Sequence, residues 1–454
     1  MNVVGGSGGA GGCFDLRVQD SRPALIGTLA LEAATVVALF ALALAEHPTS
    51  SALAPAPDAP AASSLDPERL LELGVEGAPR AARGVEEIRG LEFREVPEPE
   101  ISDTARLRRM TERQVAKPRV QRQLAIGEAE LRLLGLLEPE QSLGEVAGDV
   151  SGLAVAYYDP RRDELFLVGD AVPAGPQLAE FVLAHELTHA LEDQRFGLPV
   201  AAGLSDDRTL AETALVEGTA TTVMNRYAQR YLDLFALAAE AETLDSGAGE
   251  ELPRFAEAEV TFSYLDGSRF VEDLIDLGAG WTLVDFAYER RLPATTEQII
   301  HPEKYVKDER PLPVEAPATP GSGWRPIDTG TLGEFGTREV LAEGEPGLGA
   351  ALGADGWGGD GYRLFVRADA APACEGNCRS THALGLAWRS DDPAHARELA
   401  RELEIYVEEG LGGESDGRDL WRLDGGWAAL TAVGDRVGLG LAPGPEVARG
   451  LSRG

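Results

Sequence analysis

The chain predicts an α+β fold, with a mainly helical unit carrying a small antiparallel sheet and a smaller C-terminal α+β unit after it. Three observations predict this. Apolar residues recur at spacings of three and four over 106–137, 176–196 and 209–244, which is the helical period. Short apolar runs at 154–158 and 164–168 flank an Asp-Pro turn, and further short runs cluster beyond residue 330. A Pro- and Gly-rich stretch over 311–324 separates the two sets. With 454 residues, 44% hydrophobic and 26% charged, the chain is long enough to build two cores.

The elements follow in order. Residues 1–23 are Gly-rich and predict a disordered N-terminus. Residues 24–45 are nearly all apolar, long enough to cross a bilayer, and end in a signal-peptide-like Ala43-Leu44-Ala45. Arg17 and Arg22 precede them and no Lys or Arg follows until Arg69. This predicts export, either anchored by a single pass with the N-terminus inside or secreted after cleavage. A Pro/Ala-rich linker spans 46–64. The mainly helical unit then covers 65–311, a second linker 312–330, and the C-terminal unit 331–454. In the last, strands are predicted at 362–367, 383–388, 420–423, 427–433 and 437–441, with a helix over 393–409. That pattern suits an α+β sandwich, ferredoxin-like in arrangement. Gly356-Trp357-Gly358-Gly359-Asp360-Gly361-Tyr362 reads as a sharp turn into a strand or as a ligand loop.

Charge and cysteine usage narrow the partners. Seventy-six acidic against 41 basic residues leave −35, which excludes nucleic acid and anionic membrane surfaces as partners. Three cysteines cannot frame a disulfide scaffold. Cys374 and Cys378 suit a small local disulfide if the unit is exported, and Cys13 precedes the apolar stretch where a lipid anchor would follow one.

The chemistry is carried by His185-Glu186-Leu187-Thr188-His189. Two imidazoles four residues apart lie about 40° apart around a helix, so both reach one metal ion. Glu186 lies about 60° beyond His189, close to a metal-bound water without being a ligand. A catalytic zinc takes three protein ligands and leaves one position for water. The extended pattern with a third histidine is excluded, because Glu192 and Arg195 stand at its remaining places. Glu217, in Ala214-Leu215-Val216-Glu217-Gly218, falls in a stripe with Leu210, Ala214, Thr221 and Met224 on one helix face. A carboxylate in such a stripe is costly unless paired or metal-bound, so Glu217 is the expected third ligand. Small Ala214 and Gly218 would let its helix approach the motif helix closely.

One zinc ion held by His185, His189 and Glu217 would acidify its water, and Glu186 would act as general base in peptide-bond hydrolysis. The expected partner is a peptide or protein substrate. Tyr264 and His301 are candidate oxyanion donors, and structural roles are open for both. Asp193 could orient His189 or be a solvated helix-end charge. Glu164–Val168 could be an edge strand that an extended peptide joins, or an ordinary core strand.

These residues resemble the gluzincin division of zinc metallopeptidases, which includes the thermolysin-like enzymes. More closely, His185 to Phe196 followed by Ala214 to Gly218 looks like a group of bacterial predicted metallopeptidases. Similar proteins share the Tyr158-Asp159-Pro160 turn, the Thr295 to Pro302 segment and the Gly-Trp-Gly-Gly-Asp element. The resemblance implies a zincin-like core, zinc at His185, His189 and Glu217, and a catalytic Glu186. Thermolysin-like enzymes place an Asp four residues after the ligand Glu, and here Thr221 stands there. The alternative from another class is a catalytically silent zinc-binding envelope protein that binds a protein partner.

Overall fold

A computed structural model describes residues 67–169, 175–199, 206–241, 252–374, 376–417 and 419–454. The predicted N-terminal segments 1–23, 24–45 and 46–64 lie outside the described residues. Membrane anchoring is corrected: among the described residues no helix is long and apolar enough to cross a membrane. The long helices are interrupted by charge. The motif helix alone carries Glu180, Glu186, Glu192, Asp193 and Arg195, each costly in a bilayer.

The helical unit begins with α1 (Pro67–Arg89), β1 (Pro99–Ser102), α2 (Thr104–Val115) and α3 (Pro118–Leu134). The single helix predicted over 106–137 is therefore two helices. Pro118 lacks an N–H and is favoured in the first turn of a helix, so the chain breaks before it and restarts. Next come α4 (Leu143–Gly152), β2 (Ala156–Asp159) and β3 (Glu164–Val168). The small sheet has the order β1-β3-β2. It is mixed rather than antiparallel, since β1 runs parallel to β3 while β2 runs antiparallel. β3 is its central strand, buried over Leu165–Val168, so it offers no edge to a peptide.

The motif helix α5 (Pro176–Phe196) starts at Pro176 after an extended Gly175 and ends at Gly197, whose φ of 75° suits glycine. Every residue from Leu178 to Glu192 is buried. A helix enclosed all round is the centre of its unit, and α5 packs between α1 and α6 (Asp207–Tyr231). Asp206 starts α6 by accepting from the Thr209 N–H at 2.9 Å. The long helix predicted over 209–244 stops at Tyr231, because Leu232 is extended. Asp233 then caps a new helix, α7 (Leu234–Ala241), accepting from the Phe235 and Ala236 N–H groups. The unit closes with α8 (Arg254–Thr261), a π-helical turn (Phe262–Asp266), α9 (Gly267–Leu277), α10 (Thr282–Arg290), α11 (Thr296–Ile300) and α12 (Pro302–Val306).

The C-terminal unit comprises β4 (Trp324–Gly330), α13 (Gly333–Leu341), α14 (Leu348–Ala354), β5 (Trp357–Arg367), β6 (His382–Ser390) and α15 (Pro393–Ile405). β7 (Glu414–Ser415), β8 (Leu420–Leu423), β9 (Gly426–Val433), β10 (Arg436–Ala442) and α16 (Pro445–Ser452) complete it. The fold class is α+β, as predicted. The sheet order is β4-β5-β6-β10-β9-β8-β7 with antiparallel neighbours. This is not the ferredoxin-like order, in which a βαβ unit leaves a strand between its two strands; here β4 and β5 are direct neighbours although two helices connect them. Residues 324–330, assigned to the linker by composition, form the edge strand β4.

The Gly-Trp-Gly-Gly-Asp element lies within β5. Its glycines are explained by the chain just before β4: a Cβ at Gly359 would collide with the Leu312 carbonyl, and Leu312 donates its N–H to the Gly358 carbonyl at 2.6 Å. Asp360 is buried and accepts from the Leu332 N–H (2.8 Å), the Gly333 N–H (2.9 Å) and the Trp357 indole (3.0 Å). The stretch is therefore a structural joint between β5 and α13 rather than a ligand loop. Cys374 and Cys378 are joined by a disulfide.

Candidate metal centre

α5 supplies His185, Glu186 and His189, and α6 supplies Glu217. His185 Nε2 lies 3.2 Å from Glu217 Oε2, His189 Nε2 lies 3.5 Å from the same oxygen, and the two Nε2 atoms are 3.1 Å apart. Ligand atoms of a tetrahedral zinc site with bonds of about 2.0–2.1 Å stand about 3.3 Å from one another, so the triangle has the right size. The donor chemistry fits too, with two imidazoles and one carboxylate. His185, His189 and Glu217 thus form a group that can hold a metal ion. All three are buried.

Electrostatics agree with a ligand role. Burial pushes the Glu217 carboxyl up, but His189 and the hydrogen bonds from both imidazoles outweigh it and hold it at about 2. The other Glu217 oxygen, Oε1, is buried without a partner, as is His185 Nδ1. Such orphaned atoms cluster where a further partner completes the set.

Glu186 is buried beside the triangle. Burial is the main cause that raises its carboxyl above the usual range, against the lowering pull of His185 and His189. The Tyr158 backbone N–H, on β2, donates to it. The Tyr158 hydroxyl lies 2.7 Å from Asp163 and 3.0 Å from Asp193, which share its single proton. Asp193 also accepts from the Leu198 N–H at 2.9 Å, so its oxygens are taken up by β2 and the end of α5 and do not orient His189. Burial lowers the His189 pKa, but the charge and hydrogen bond of Glu217, then the charges of Glu186 and Glu192, outweigh it and raise it above the usual range. Glu192 is itself buried against Arg89, which also reaches Asp285 at 2.7 Å and stacks on the Trp281 ring at 4.3 Å.

The two candidate oxyanion donors separate. Tyr264 stacks on His185, with ring centroids 5.7 Å apart and planes 13° apart. Burial first, then the charges of Glu217 and Glu186, push its phenol well above the usual range, so it stays a neutral hydroxyl. It sits on the π-helical turn, the kind of extra-residue turn that often marks functional sites. His301 lies elsewhere, at the junction of α11 and α12, with Nε2 3.1 Å from Glu334.

Close helix packing brings Tyr264 in. A Cβ on Gly218 would collide with the Gly267 backbone, and one on Gly267 would collide with the Ala214 carbonyl. The small residues predicted to admit the motif helix therefore admit the π-turn and α9 instead. Thr221, one turn beyond Glu217, has a buried hydroxyl without a partner. Sequence reasoning missed Arg89, Glu192 and the Tyr158 hydroxyl; only the Tyr158-Asp159-Pro160 turn hinted at the last.

Residues 324–451 match a family described as a domain of unknown function (DUF8575), a span that excludes the metal centre and is less than half of the chain. No curated protein matches. A solved structure from Chloroflexus aurantiacus, described as a candidate hydrolase with a novel fold, is similar at 16% identity. The match covers 54% of this chain and 92% of that one with a TM-score of 0.36, a likeness too slight to carry fold or chemistry across.

Proposed function

We propose that the chain is a zinc-dependent peptidase in which His185, His189 and Glu217 hold the ion and Glu186 is the general base. The observation that carries this reading is the ligand triangle, 3.1 to 3.5 Å on a side, with Glu186 next to His185 on the same helix. Two imidazoles and a carboxylate are a catalytic zinc set, and zinc supplies a Lewis acid and an acidified water when bound. Glu186, steadied by the Tyr158 N–H, takes a proton from the attacking water and returns it to the leaving amine. Tyr264 remains a neutral donor beside His185 and stabilises the carbonyl oxygen as charge develops on it. The likeness of His185 to Phe196 and Ala214 to Gly218 to gluzincins supports the same assignment.

A second reading is favoured by one observation. Glu186 is only 4% exposed and both histidines are as deeply buried, which suits a centre that holds metal without turning over substrate. One comparison separates the two. Glu186→Ala should keep as much zinc as the parent by mass spectrometry and lose casein cleavage by about 10²–10⁴-fold. Cleavage at the parental rate in that variant would reject the general base. A zinc-loaded parent that cleaves nothing would favour the silent centre.

A further inference from the structure

Two acidic clusters lie where the helical unit meets the C-terminal unit. The first already holds a cation: Lys304 Nζ is 2.6 Å from Glu297, 2.9 Å from Asp391 and 3.3 Å from Glu309. The second consists of His301, Glu334 and Asp355, whose ligand atoms lie within 4.8 Å of one another. Among the described residues, the ion-pair partner of Glu334 is His301, at 3.1 Å from Oε1. Its second oxygen, Oε2, is buried and has no hydrogen-bond partner, and Glu334 as a whole is 5% exposed. A buried carboxylate oxygen without a donor is destabilising, and an imidazole bound to the other oxygen does not relieve it.

We propose that His301, Glu334 and Asp355 bind a second divalent ion, distinct from the His185–His189–Glu217 centre, which clamps the C-terminal unit to the helical one. The imidazole among two carboxylates favours a transition-metal ion, zinc before manganese, over calcium. His301 and Glu334 already stand at the separation of two ligands on one ion. Asp355 is exposed at the end of α14, so its side chain can turn to close the remaining gap. The clamp has a mechanical consequence. His301 directly follows α11, and Thr296 of α11 donates its N–H and hydroxyl to Asp207, the first residue of α6, at 2.8 and 2.6 Å. The Thr296 hydroxyl also accepts from the Phe335 N–H of α13 at 3.1 Å. An ion on His301 and Glu334 therefore fastens α11 and α13 together at the root of the helix that carries Glu217.

The test is metal stoichiometry on the full chain, stripped with chelator and dialysed against zinc chloride or manganese chloride. Two ions per chain are expected in the parent. Glu334→Gln should leave one, and the double variant His185→Ala/His189→Ala should leave the other. Asp355→Asn, a change on the surface, should weaken the second site at least tenfold without altering the fold by circular dichroism. A parent that binds one ion, lost with His185→Ala/His189→Ala and kept with Glu334→Gln, would overturn the proposal. So would unchanged affinity for the second ion in both Glu334→Gln and Asp355→Asn. These outcomes are independent of Glu186, so failure here and failure of the peptidase reading are told apart.

Discussion

Glu192 and Glu217 are both buried carboxylates acting on His189, yet the chain meets them with different chemistry. Glu192 faces Arg89, a permanent cation that is itself sandwiched between Trp281 and Asp285. Glu217 faces two imidazoles, whose charge depends on their protons, and keeps one oxygen without a partner. The first acid is neutralised from within the chain and holds α1, α5 and α10 together. The second belongs to a group, with His185 and His189, that could hold a metal ion. Two acids equally hidden from water thus differ in what stands opposite them, a guanidinium for Glu192 and two imidazoles for Glu217.

The largest expected effect breaks the internal pair. Arg89→Met strands Glu192 in the core and should cost about 3–5 kcal/mol, read as a lower urea midpoint. If Glu192→Leu is added, much of that loss should return. Persistence of the full loss in the double variant would mean that Arg89 acts through packing on Trp281. The external pair is next. Zinc at a hundred times its Kd for the His185–His189–Glu217 centre should stabilise the parent by about 2.7 kcal/mol through that centre, and Glu217→Gln should abolish most of that share in melts with and without zinc.

A smaller effect tests the approach that brings Tyr264 to His185. Gly218→Ala puts a methyl against the Gly267 backbone and should cost about 1–3 kcal/mol. Zinc affinity should fall along with stability, measured by competition with a chromogenic chelator. Loss of stability with unchanged affinity would show that the close contact serves packing alone.

The smallest and most gradual effect is in pH. Asp207 is pushed up to about 7, chiefly by burial, as is Glu297, and Asp360 is pushed up to about 6. A raised carboxyl binds its proton more tightly in the folded chain. Its stabilising contribution is therefore complete below about pH 4 and is lost as pH rises to about 7. Tm should fall by roughly a few degrees across that window. Asp207→Asn keeps an acceptor for Thr296 and should flatten the decline; an unchanged slope would place the titration on other groups.

Much of the site was legible because its determinants are local. Pro176 and Gly197 set the bounds of α5, and helical phase alone singled out Glu217 over Glu212. What stayed illegible depends on partners far away in the chain. Tyr264 and His301 were equal candidates until the π-turn carried one to His185 and Glu334 took the other. Asp193 could have oriented His189 or been a solvated helix-end charge, and only the positions of Tyr158 and the Leu198 N–H showed that it does neither. The parallel pairing of β1 with β3 removed the supposed edge strand, and no pattern within residues 164–168 reveals a second neighbour.

By itself the sequence determined the helical turn that presents His185, Glu186 and His189 together, the phase that turns Glu217 toward the two imidazoles, and the order of helix-rich before strand-rich stretches. These follow from periods of about 3.6 and 2 residues and from the stereochemistry of Pro and Gly, which act within a few residues. The tertiary structure decided which acid is neutralised by Arg89, which hydroxyl covers His185, how the strands are ordered, and that the Thr295–Pro302 segment meets α13 at the root of α6. Those outcomes depend on which surfaces bury one another, and burial is a property of the packed chain as a whole.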